Sequence, residues 1–248
     1  MSYTNGLDKP TDYFRTKLYN GNNNPQNITW DETDVNMKPD FLWIKSRAGT
    51  TVFDHVAGNV VSGSGKYLKP NTTDAEVSNS NVINTFNTNG FSVGGATFVS
   101  EGGRTYVAWG WKGAGSTSSN TDGSITSTVS ANTTSGFSIV SYTGTGSASD
   151  SVGHGLSKTP GMIFVKRRDS AGDWRVWHQN LSATTGKNLR LNTNDAEDSN
   201  ISFFYSQPPN ATTFRPGSGG NTNSSSATYI AYCFEEKKGF SKFGSFIS

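Results

Sequence analysis

The stretch Lys66-Tyr-Leu-Lys-Pro-Asn-Thr-Thr-Asp-Ala-Glu76 occurs a second time in similar form, as Lys187-Asn-Leu-Arg-Leu-Asn-Thr-Asn-Asp-Ala-Glu197, at an offset of 187 − 66 = 121 residues. Pro39-Asp-Phe-Leu-Trp-Ile-Lys-Ser-Arg47 returns at the same offset as Pro160-Gly-Met-Ile-Phe-Val-Lys-Arg-Arg168. Thr105-Tyr-Val-Ala-Trp-Gly-Trp-Lys112 returns as Thr228-Tyr-Ile-Ala-Tyr-Cys-Phe-Glu235, where the offset is 228 − 105 = 123. Matches that keep their order at nearly one offset predict a tandem duplication of a unit of about 100 residues.

The repeated stretches divide the 248 residues into five parts. We predict a polar leader at 1–12, a first β repeat at 13–112, a Gly/Ser/Thr linker with an added strand at 113–135, a second β repeat at 136–238, and a C-terminal strand at 239–248 that begins a third repeat. Short apolar runs between turn residues, without a long amphipathic helix, indicate an all-β chain. The predicted architecture is two tandem homologous β-sandwich or jelly-roll-like domains with short strands.

Two continuous apolar runs, Phe41-Leu-Trp-Ile44 and Met162-Ile-Phe-Val165, lie at matching places in the two repeats. A run of this kind predicts a central strand that is covered on both faces. Aromatic residues make up 12% of the chain, and they can supply the buried surface that the scarce aliphatic residues do not. Each repeat therefore has enough apolar material for its own core.

Composition and charge exclude several classes of function. The net charge of +2 gives no electrostatic reason to expect nucleic acid or a membrane surface as partner. The single cysteine, Cys233, excludes an intramolecular disulfide and is predicted to be a buried, inert thiol. No signal peptide and no apolar run of bilayer length is visible, so we predict a soluble protein made in a cytoplasm.

The three histidines are the first candidates for catalysis or metal binding. His55 and His178 follow similar apolar runs in the two repeats, so we expect them to be equivalent and to make structural hydrogen bonds. His154 lies in Val152-Gly-His-Gly-Leu156, which has no evident match in the first repeat. We expect His154 to be exposed, either as a turn residue, which is favoured, or as a contact for a partner. No metal-binding motif and no catalytic motif is present, which argues against an enzyme.

The repeated Asn-Thr-x-Asp-Ala-Glu segments carry two carboxylates two residues apart, and Asp198 extends the second of them. Oxygen ligands at this spacing could hold calcium. Asp and Asn also close turns through hydrogen bonds to the backbone, and the calcium-loop order of residues is missing. The turn is the favoured interpretation, calcium is the alternative, and no other cofactor is expected.

The tryptophans have two interpretations. Exposed rings could form a platform on which sugars stack, whereas buried rings would belong to the core. We expect most of the tryptophans to lie in the core and expect exposure at Trp30 and Trp174, which stand in polar, loop-like surroundings. The candidates for a sugar-stacking platform are Trp30, Trp109, Trp111, Trp174 and Trp177.

The last residues, Phe240-Ser-Lys-Phe-Gly-Ser-Phe-Ile-Ser248, parallel the start of each repeat. One strand cannot bury its own apolar face. We therefore predict that Phe240, Phe243 and Phe246 belong to an assembly strand, which pairs with a sheet edge of this chain or of a neighbouring subunit.

Several phrases together resemble one family: Tyr3-Thr-Asn-Gly-Leu-Asp-Lys-Pro-Thr-Asp-Tyr-Phe14, Tyr106-Val-Ala-Trp109, Asp122-Gly-Ser-Ile-Thr-Ser-Thr-Val-Ser-Ala-Asn132, Gly136-Phe-Ser-Ile-Val-Ser-Tyr-Thr-Gly-Thr-Gly146, Val152-Gly-His-Gly-Leu156 and Gly239-Phe-Ser-Lys-Phe-Gly244. They are similar to uncharacterised repeated β domains in structural proteins of tailed bacteriophages, of the marine cyanophage and pelagiphage type. The resemblance covers nearly the whole chain.

The resemblance implies a location on the virion and no catalytic residues. We expect a non-enzymatic structural protein on the exterior of the particle, assembled in the host cytoplasm, as a tail appendage or fibre-type module or as a capsid decoration or knob. The expected partners are other virion proteins and further copies of the chain, for instance in a trimer, with host-surface glycan as another candidate. A lectin-like receptor module is the alternative function, and a glycan depolymerase is the least favoured one.

Overall fold

The computed structural model describes residues 7, 9–32, 34–47, 49, 51–183, 185–204 and 207–246. The chain forms two compact units, and we call Lys9–Ser116 the N-terminal unit and Thr117–Ser248, with which Met1–Asp8 are grouped, the C-terminal unit. Nearly all regular structure is antiparallel β, so the all-β prediction is confirmed. Among the described residues, no helix has the length and apolar character needed to cross a membrane.

The N-terminal unit opens with a 3-10 turn at Pro10–Asp12. Its strands are β1 Phe14–Asn20, β2 Gln26–Thr29, β3 Phe41–Ser46, β4 Val56–Asn59, β5 Lys66–Tyr67, β6 Val77–Ser78, β7 Ile83–Asn87, β8 Gly90–Val93 and β9 Thr105–Trp111, with helix α1 at Thr97–Ser100. They form a sheet in the order β1-β9-β3-β4, a second sheet in the order β2-β8-β7, and the pair β5-β6.

The core of the N-terminal unit lies between its two larger sheets. Strand β9 alternates buried and half-buried residues along its whole length, so one row of side chains points inward and the other outward. Tyr106 and Ala108 of the first sheet and Phe91 and Val93 of the second belong to one apolar cluster, and each is completely buried. Side chains from two facing sheets that fill one core form a β-sandwich.

The C-terminal unit contains the remaining elements. Its strands are β10 Ser118–Asn120, β11 Ser127–Asn132, β12 Phe137–Thr143, β13 Val152–Gly153, β14 Met162–Arg167, β15 Arg175–His178, β16 Leu189–Arg190, β17 Thr213–Phe214 and β18 Thr228–Phe234, with helix α2 at Gly220–Asn223. Seven strands form one sheet in the order β10-β11-β12-β18-β14-β15-β16, and β13 pairs with β17.

The segment predicted as a linker with an added strand at 113–135 contains two strands, β10 and β11, and is otherwise loop. The added strand that the alternation predicted is present as β11, and β10 and β11 extend the main sheet of the C-terminal unit beyond β12. Ile125 and Val129 are buried in the core of that unit. A few apolar residues at alternate positions are enough to build an edge of a sheet, even where Gly, Ser and Thr dominate the composition.

The two units share a strand order. The order β1-β9-β3-β4 corresponds to β12-β18-β14-β15. The pairing of β1 with β9 runs from Phe14↔Trp111 to Asn20↔Thr105, and the pairing of β12 with β18 repeats it 123 residues later, from Phe137↔Phe234 to Thr143↔Thr228. Strands β3 and β14 also pair with β9 and β18 in one register.

The same arrangement of two stacked tyrosines occurs inside each unit and stabilises it. Tyr19 stacks on Tyr106 at 5.1 Å, and Tyr142 stacks on Tyr229 at 5.2 Å. The Tyr19 and Tyr142 hydroxyls donate to the carbonyl oxygens of Val99 and Thr222, respectively. These bonds tie each short helix to its main sheet.

The expected equivalence of His55 and His178 is wrong. His178 is a residue of β15 and lies opposite Met162, whereas the residue of the first sheet that lies opposite Phe41, the counterpart of Met162, is Asn59. His55 precedes β4 instead. The fourth strand pairs in the same register in both units, but the step to it from the third strand is 56 − 46 = 10 residues in the N-terminal unit and 175 − 167 = 8 residues in the C-terminal unit. The similar apolar runs before the two histidines concealed this difference in loop length.

Candidate functional site

An open groove on the outer face of the N-terminal unit is the candidate functional site. Strand alternation turns Phe14 of β1, Trp43 of β3, and Trp109 and Trp111 of β9 to this face, and His55 joins them from the loop before β4. We call these five residues the aromatic groove. It encloses about 370 Å³, and all five side chains are half-buried. Large rings in solvent contact are unusual for a sheet that also has a full core on its other face.

The rings of the groove pack against each other at defined angles. The Phe14 and Trp111 centroids are 4.8 Å apart with a tilt of 54°. Trp43 meets His55 edge to face, with centroids 5.8 Å apart. The Trp43 Nε1–H donates to His55 Nδ1 at 2.9 Å. These contacts fix the ring orientations before any ligand arrives, so little side-chain entropy would be lost on binding.

The electrostatics of the groove favour uncharged contacts. His55 must be neutral at Nδ1 to accept the hydrogen bond from Trp43. Burial and the charge of Lys45 lower the pKa of His55, which keeps it neutral at pH 7. Apart from His55, the residues that line the groove are Phe and Trp. The groove therefore offers π faces and very few polar atoms.

The corresponding face of the C-terminal unit is covered. Tyr232, the counterpart of Trp109 in the shared register, is completely buried, and Trp174 stacks over it at 6.2 Å with the planes 20° apart. Phe234, the counterpart of Trp111, is in contact with Phe243, with centroids 6.3 Å apart. Two rings from other parts of the same unit thus occupy the face that stays open in the N-terminal unit.

One pair of residues explains how Phe243 reaches its place. Gly161 occupies the position of Asp40 in the shared register, and their amides donate to the carbonyls of Phe234 and Trp111, respectively. A Cβ on Gly161 would lie 2.8 Å from the Phe243 ring, so only glycine leaves room for it. In the N-terminal unit the Asp40 carboxylate instead accepts hydrogen bonds from the Gly113 and Gly115 amides, at 2.6 and 3.1 Å. Asp40 thereby fixes the course of the chain after β9.

The exposure predicted for Trp30 and Trp174 is wrong. Trp30 is 2% exposed, and its Nε1–H donates to the Met37 carbonyl at 2.8 Å. Trp174 is 1% exposed and covers Tyr232. Both stand in polar, loop-like sequence, but a single large ring in a loop is the residue that fastens the loop to the core. Polar neighbours in sequence do not report on neighbours in space.

The exposure predicted for His154 is also wrong. His154 is completely buried, its Nδ1 accepts from the Leu156 amide at 3.2 Å, and its Nε2 lies 3.1 Å from the Asn210 carbonyl oxygen. Burial lowers the pKa of His154. The β2–β8 and β13–β17 pairings place Ile28 opposite Phe91 and Val152 opposite Phe214, so His154 corresponds to Trp30 and does have a match in the first repeat.

The assembly strand predicted at 239–248 is not a strand in its described part, 239–246. Only Ser241 forms a bridge, to Lys237. The Gln179 side chain donates to the Phe243 carbonyl at 2.9 Å, and the Phe243 amide donates to Glu236 at 3.0 Å. The segment therefore folds back onto its own unit. Phe240 and Phe243 are half-buried and Phe246 is 92% exposed.

The repeated acidic loops place their carboxylates against basic side chains. Asp74 pairs with Lys69 at 2.9 Å, and Asp195 pairs with Arg190 at 2.7 Å. Asp198 accepts from Arg175 at 2.8 Å. Burial alone would raise the pKa of Asp198, but hydrogen bonds from Arg175, the Asn200 amide and Arg190, together with the charge of Arg175, lower it. In the described part of the chain, no group of three or more His, Cys, Asp or Glu side chains converges as metal ligands would. Calcium stays an untested alternative.

Trp109 and Trp111 were candidates for sugar stacking from the sequence, whereas Trp43 and Phe14, which also line the groove, were not. Phe14, Thr16 and Leu18 form one row of alternate side chains on β1, and Arg15 and Tyr19 belong to the other row. Leu18 is 58% exposed, whereas Arg15 and Tyr19 are buried, so the row that contains Phe14 faces outward. The burial predicted for both faces of β3 is correct at Phe41, Leu42 and Ile44 and wrong at Trp43. Hydrophobicity did not distinguish the outer row from the core row.

Fold and groove together define an all-β protein of two units, one of which exposes an aromatic surface. Residues 9–248 match the model of a family described as a domain of unknown function, DUF7483, and the chain belongs to that family. The match runs through both units. No curated protein and no solved structure matches the chain.

Proposed function

We propose that this protein is a non-enzymatic structural protein on the exterior of a tailed-bacteriophage particle, and that the aromatic groove is its contact site. Four apolar rings and the His55 imidazole in solvent contact carry the proposal, because a patch of this kind marks a surface that another molecule covers. The sequence resemblance to repeated β domains of phage structural proteins supplies the setting: a tail appendage or fibre-type module, or a capsid decoration or knob, that reaches the virion from the host cytoplasm.

The same proposal includes a duplicated origin of the two units. Their shared strand order and register support it. After a duplication, one copy can keep a closed, stable face while the other is free to expose its rings to a partner. A structural protein that must both fold and adhere needs both properties.

Cryo-electron microscopy of purified particles of the source phage tests this function. We expect density for two linked β units on the outside of the particle, with the groove of the N-terminal unit against a neighbouring component. Absence of the protein from the particle would overturn the proposal. In a matched test, Trp109→Ala protein should fail to compete with the wild type for its place during assembly, whereas Ile201→Ala, at a residue that is 64% exposed outside the groove, should compete normally.

Sugar binding is the second candidate, favoured by the three half-buried tryptophans at one site, Trp43, Trp109 and Trp111. Indole faces stack on the apolar faces of sugar rings. A glycan array probed with wild-type protein and with Trp109→Ala tests it. Binding that Trp109→Ala abolishes would make the protein a lectin-like receptor module, and equal signals from both proteins would remove this candidate.

A further inference from the structure

The C-terminal unit shows what kind of group this type of sheet face accepts. Trp174 lies over Tyr232 in a stacked geometry, and Phe243 lies against Phe234 with a tilt of 58°. Both occupants are aromatic side chains, and both come from segments outside the sheet. The residues beneath them, Tyr232 and Phe234, are the counterparts of Trp109 and Trp111 in the aromatic groove.

The polarity of the groove also points to an apolar aromatic occupant. Sugar sites combine a stacking ring with several polar groups that hold the hydroxyls. In the groove, the Trp43 indole N–H and the His55 Nδ1 already bond to each other. A phenyl ring needs no such polar partners, and it gains from edge-to-face and offset contacts with the rings around it.

The chain itself presents a suitable ring. Gln179 and Glu236 hold the backbone of Phe243 on the C-terminal unit by hydrogen bonds of 2.9 and 3.0 Å. Phe246, three residues further on, is 92% exposed, the highest exposure among the large apolar residues that the structure describes. Its own unit leaves the Phe246 ring uncovered, so this ring is available to an aromatic groove.

We propose that Phe246 of one copy inserts into the aromatic groove of a second copy. The contact joins two different surfaces, so it forms either a reciprocal pair, in which each copy fills the groove of the other, or a ring or open chain of subunits. One aromatic side chain covers about 150–250 Å², far less than a stable interface needs, so the contact is weak between free molecules. High local concentration on a particle would strengthen it through avidity. This inference rests on the proposed function, because both take the aromatic groove as the contact site.

Photo-cross-linking tests the proposal even for a weak complex. The full chain, with a benzophenone amino acid at position 246, is irradiated as an equal mixture of unlabelled and nitrogen-15-labelled protein, and cross-linked peptides are identified by mass spectrometry. We expect mixed-isotope pairs that join position 246 to peptides containing Trp43 or Trp109. Pairs within a single chain, or attachment elsewhere on the surface, would overturn the proposal.

Tryptophan fluorescence gives an independent readout. Trp30, Trp174 and Trp177 are at most 2% exposed, so quenching by acrylamide reports mainly on the three groove tryptophans. Quenching of the wild type should decrease as protein concentration rises. Phe246→Ala should lose this dependence without loss of fold, because position 246 is exposed, and Ile201→Ala should retain it.

The outcomes separate this proposal from the proposed function. Loss of self-association in both Phe246→Ala and Trp109→Ala supports the inference. If self-association is absent in the wild type while Trp109-dependent attachment to the particle or to a glycan persists, the second copy is the wrong occupant and the groove is still a contact site. If neither occurs, both proposals are overturned.

Discussion

The two units build the same four-stranded arrangement and then treat its outer face in opposite ways. In the N-terminal unit the face ends in an open groove around Trp109 and Trp111, whereas in the C-terminal unit Trp174 and Phe243 cover the corresponding rings. Strand β1 exposes alternate residues, but its counterpart β12 is buried at five of its seven positions. The sheet alone therefore does not determine whether its outer face is buried. The segments that pack against this face determine whether it becomes core or contact surface.

A second exchange inside the two units follows the same logic. Trp30 fills its site only because Gly110 lacks a side chain: a Cβ there would lie 2.7 Å from the indole ring. In the C-terminal unit the counterparts are His154, with a smaller ring, and Cys233, with a side chain. Cys233 is completely buried and burial raises its thiol pKa, which confirms the predicted buried thiol. A large ring with a small neighbour has been replaced by a small ring with a larger neighbour.

The largest expected effect comes from removing the cover of the closed face. Trp174→Ala should lower the free energy of unfolding of the C-terminal unit by about 3–5 kcal/mol, because it deletes a buried indole and leaves a cavity over Tyr232. Trp109→Ala, on the open face, should cost the N-terminal unit about 1–2 kcal/mol, because its ring is already half in solvent. Denaturant unfolding of both variants measures the two losses of unfolding free energy. Equal losses would contradict the distinction between a covered and an open face.

The exchange between Trp30 and Gly110 predicts the next effect. Gly110→Cys should destabilise the N-terminal unit by about 1–3 kcal/mol, because its Cβ overlaps the Trp30 ring in a packed core. Combined with Trp30→His, the same substitution should cost clearly less, since the smaller ring leaves room. A double-mutant cycle of unfolding free energies measures this coupling. Strict additivity would show that the two positions do not share the space that the structure assigns to them.

Gly161→Ala should partly open the covered face. The added Cβ would lie 2.8 Å from the Phe243 ring, so we expect residues 240–246 to leave the sheet at a cost of about 1 kcal/mol. Faster amide hydrogen exchange at Phe243, with unchanged exchange in β14 and β18, would confirm it. Gly244→Ala is the control, because a Cβ there meets nothing within 4 Å. Unchanged exchange at Phe243 would mean that the segment does not depend on this glycine.

The smallest expected effect is a pH dependence of the same segment. Hydrogen bonds from Lys242 and from the Phe243 amide lower the pKa of Glu236 to about 2, from an ordinary value of 4.5. A lowered carboxyl pKa means that the contribution of Glu236 is complete above pH 4.5 and disappears as the pH falls towards 2. Chemical shifts of Phe243 followed across this range should report release of the segment, and Glu236→Gln should show no transition there. A transition that persists in Glu236→Gln would assign the effect to another group.

Much of the fold was visible in local sequence, and particular residues show where that ended. The matches around Pro39–Arg47 and Thr105–Lys112 located the strands that later proved to share one register, because those strands have the same length and period in both units. The match between His55 and His178 failed, because the loop before the fourth strand differs in length between the units and similar apolar runs hid that difference. The 113–135 segment contains strands besides loop, because a few apolar residues at alternate positions are enough to form a strand near the edge of a sheet.

Residue period and side-chain chemistry within a few positions were enough to predict the all-β class, the places of the main strands and the burial of Cys233. Which aromatic rings are exposed depends on tertiary packing instead. Trp30 and Trp174 lie in polar stretches and are buried, whereas Trp43 lies in an apolar run and lines an open groove. A ring on a strand is buried or exposed according to what packs over that strand, and a residue that controls this can be distant in sequence: Gly161 leaves room for Phe243 to cover Phe234, which lies 234 − 161 = 73 residues further on.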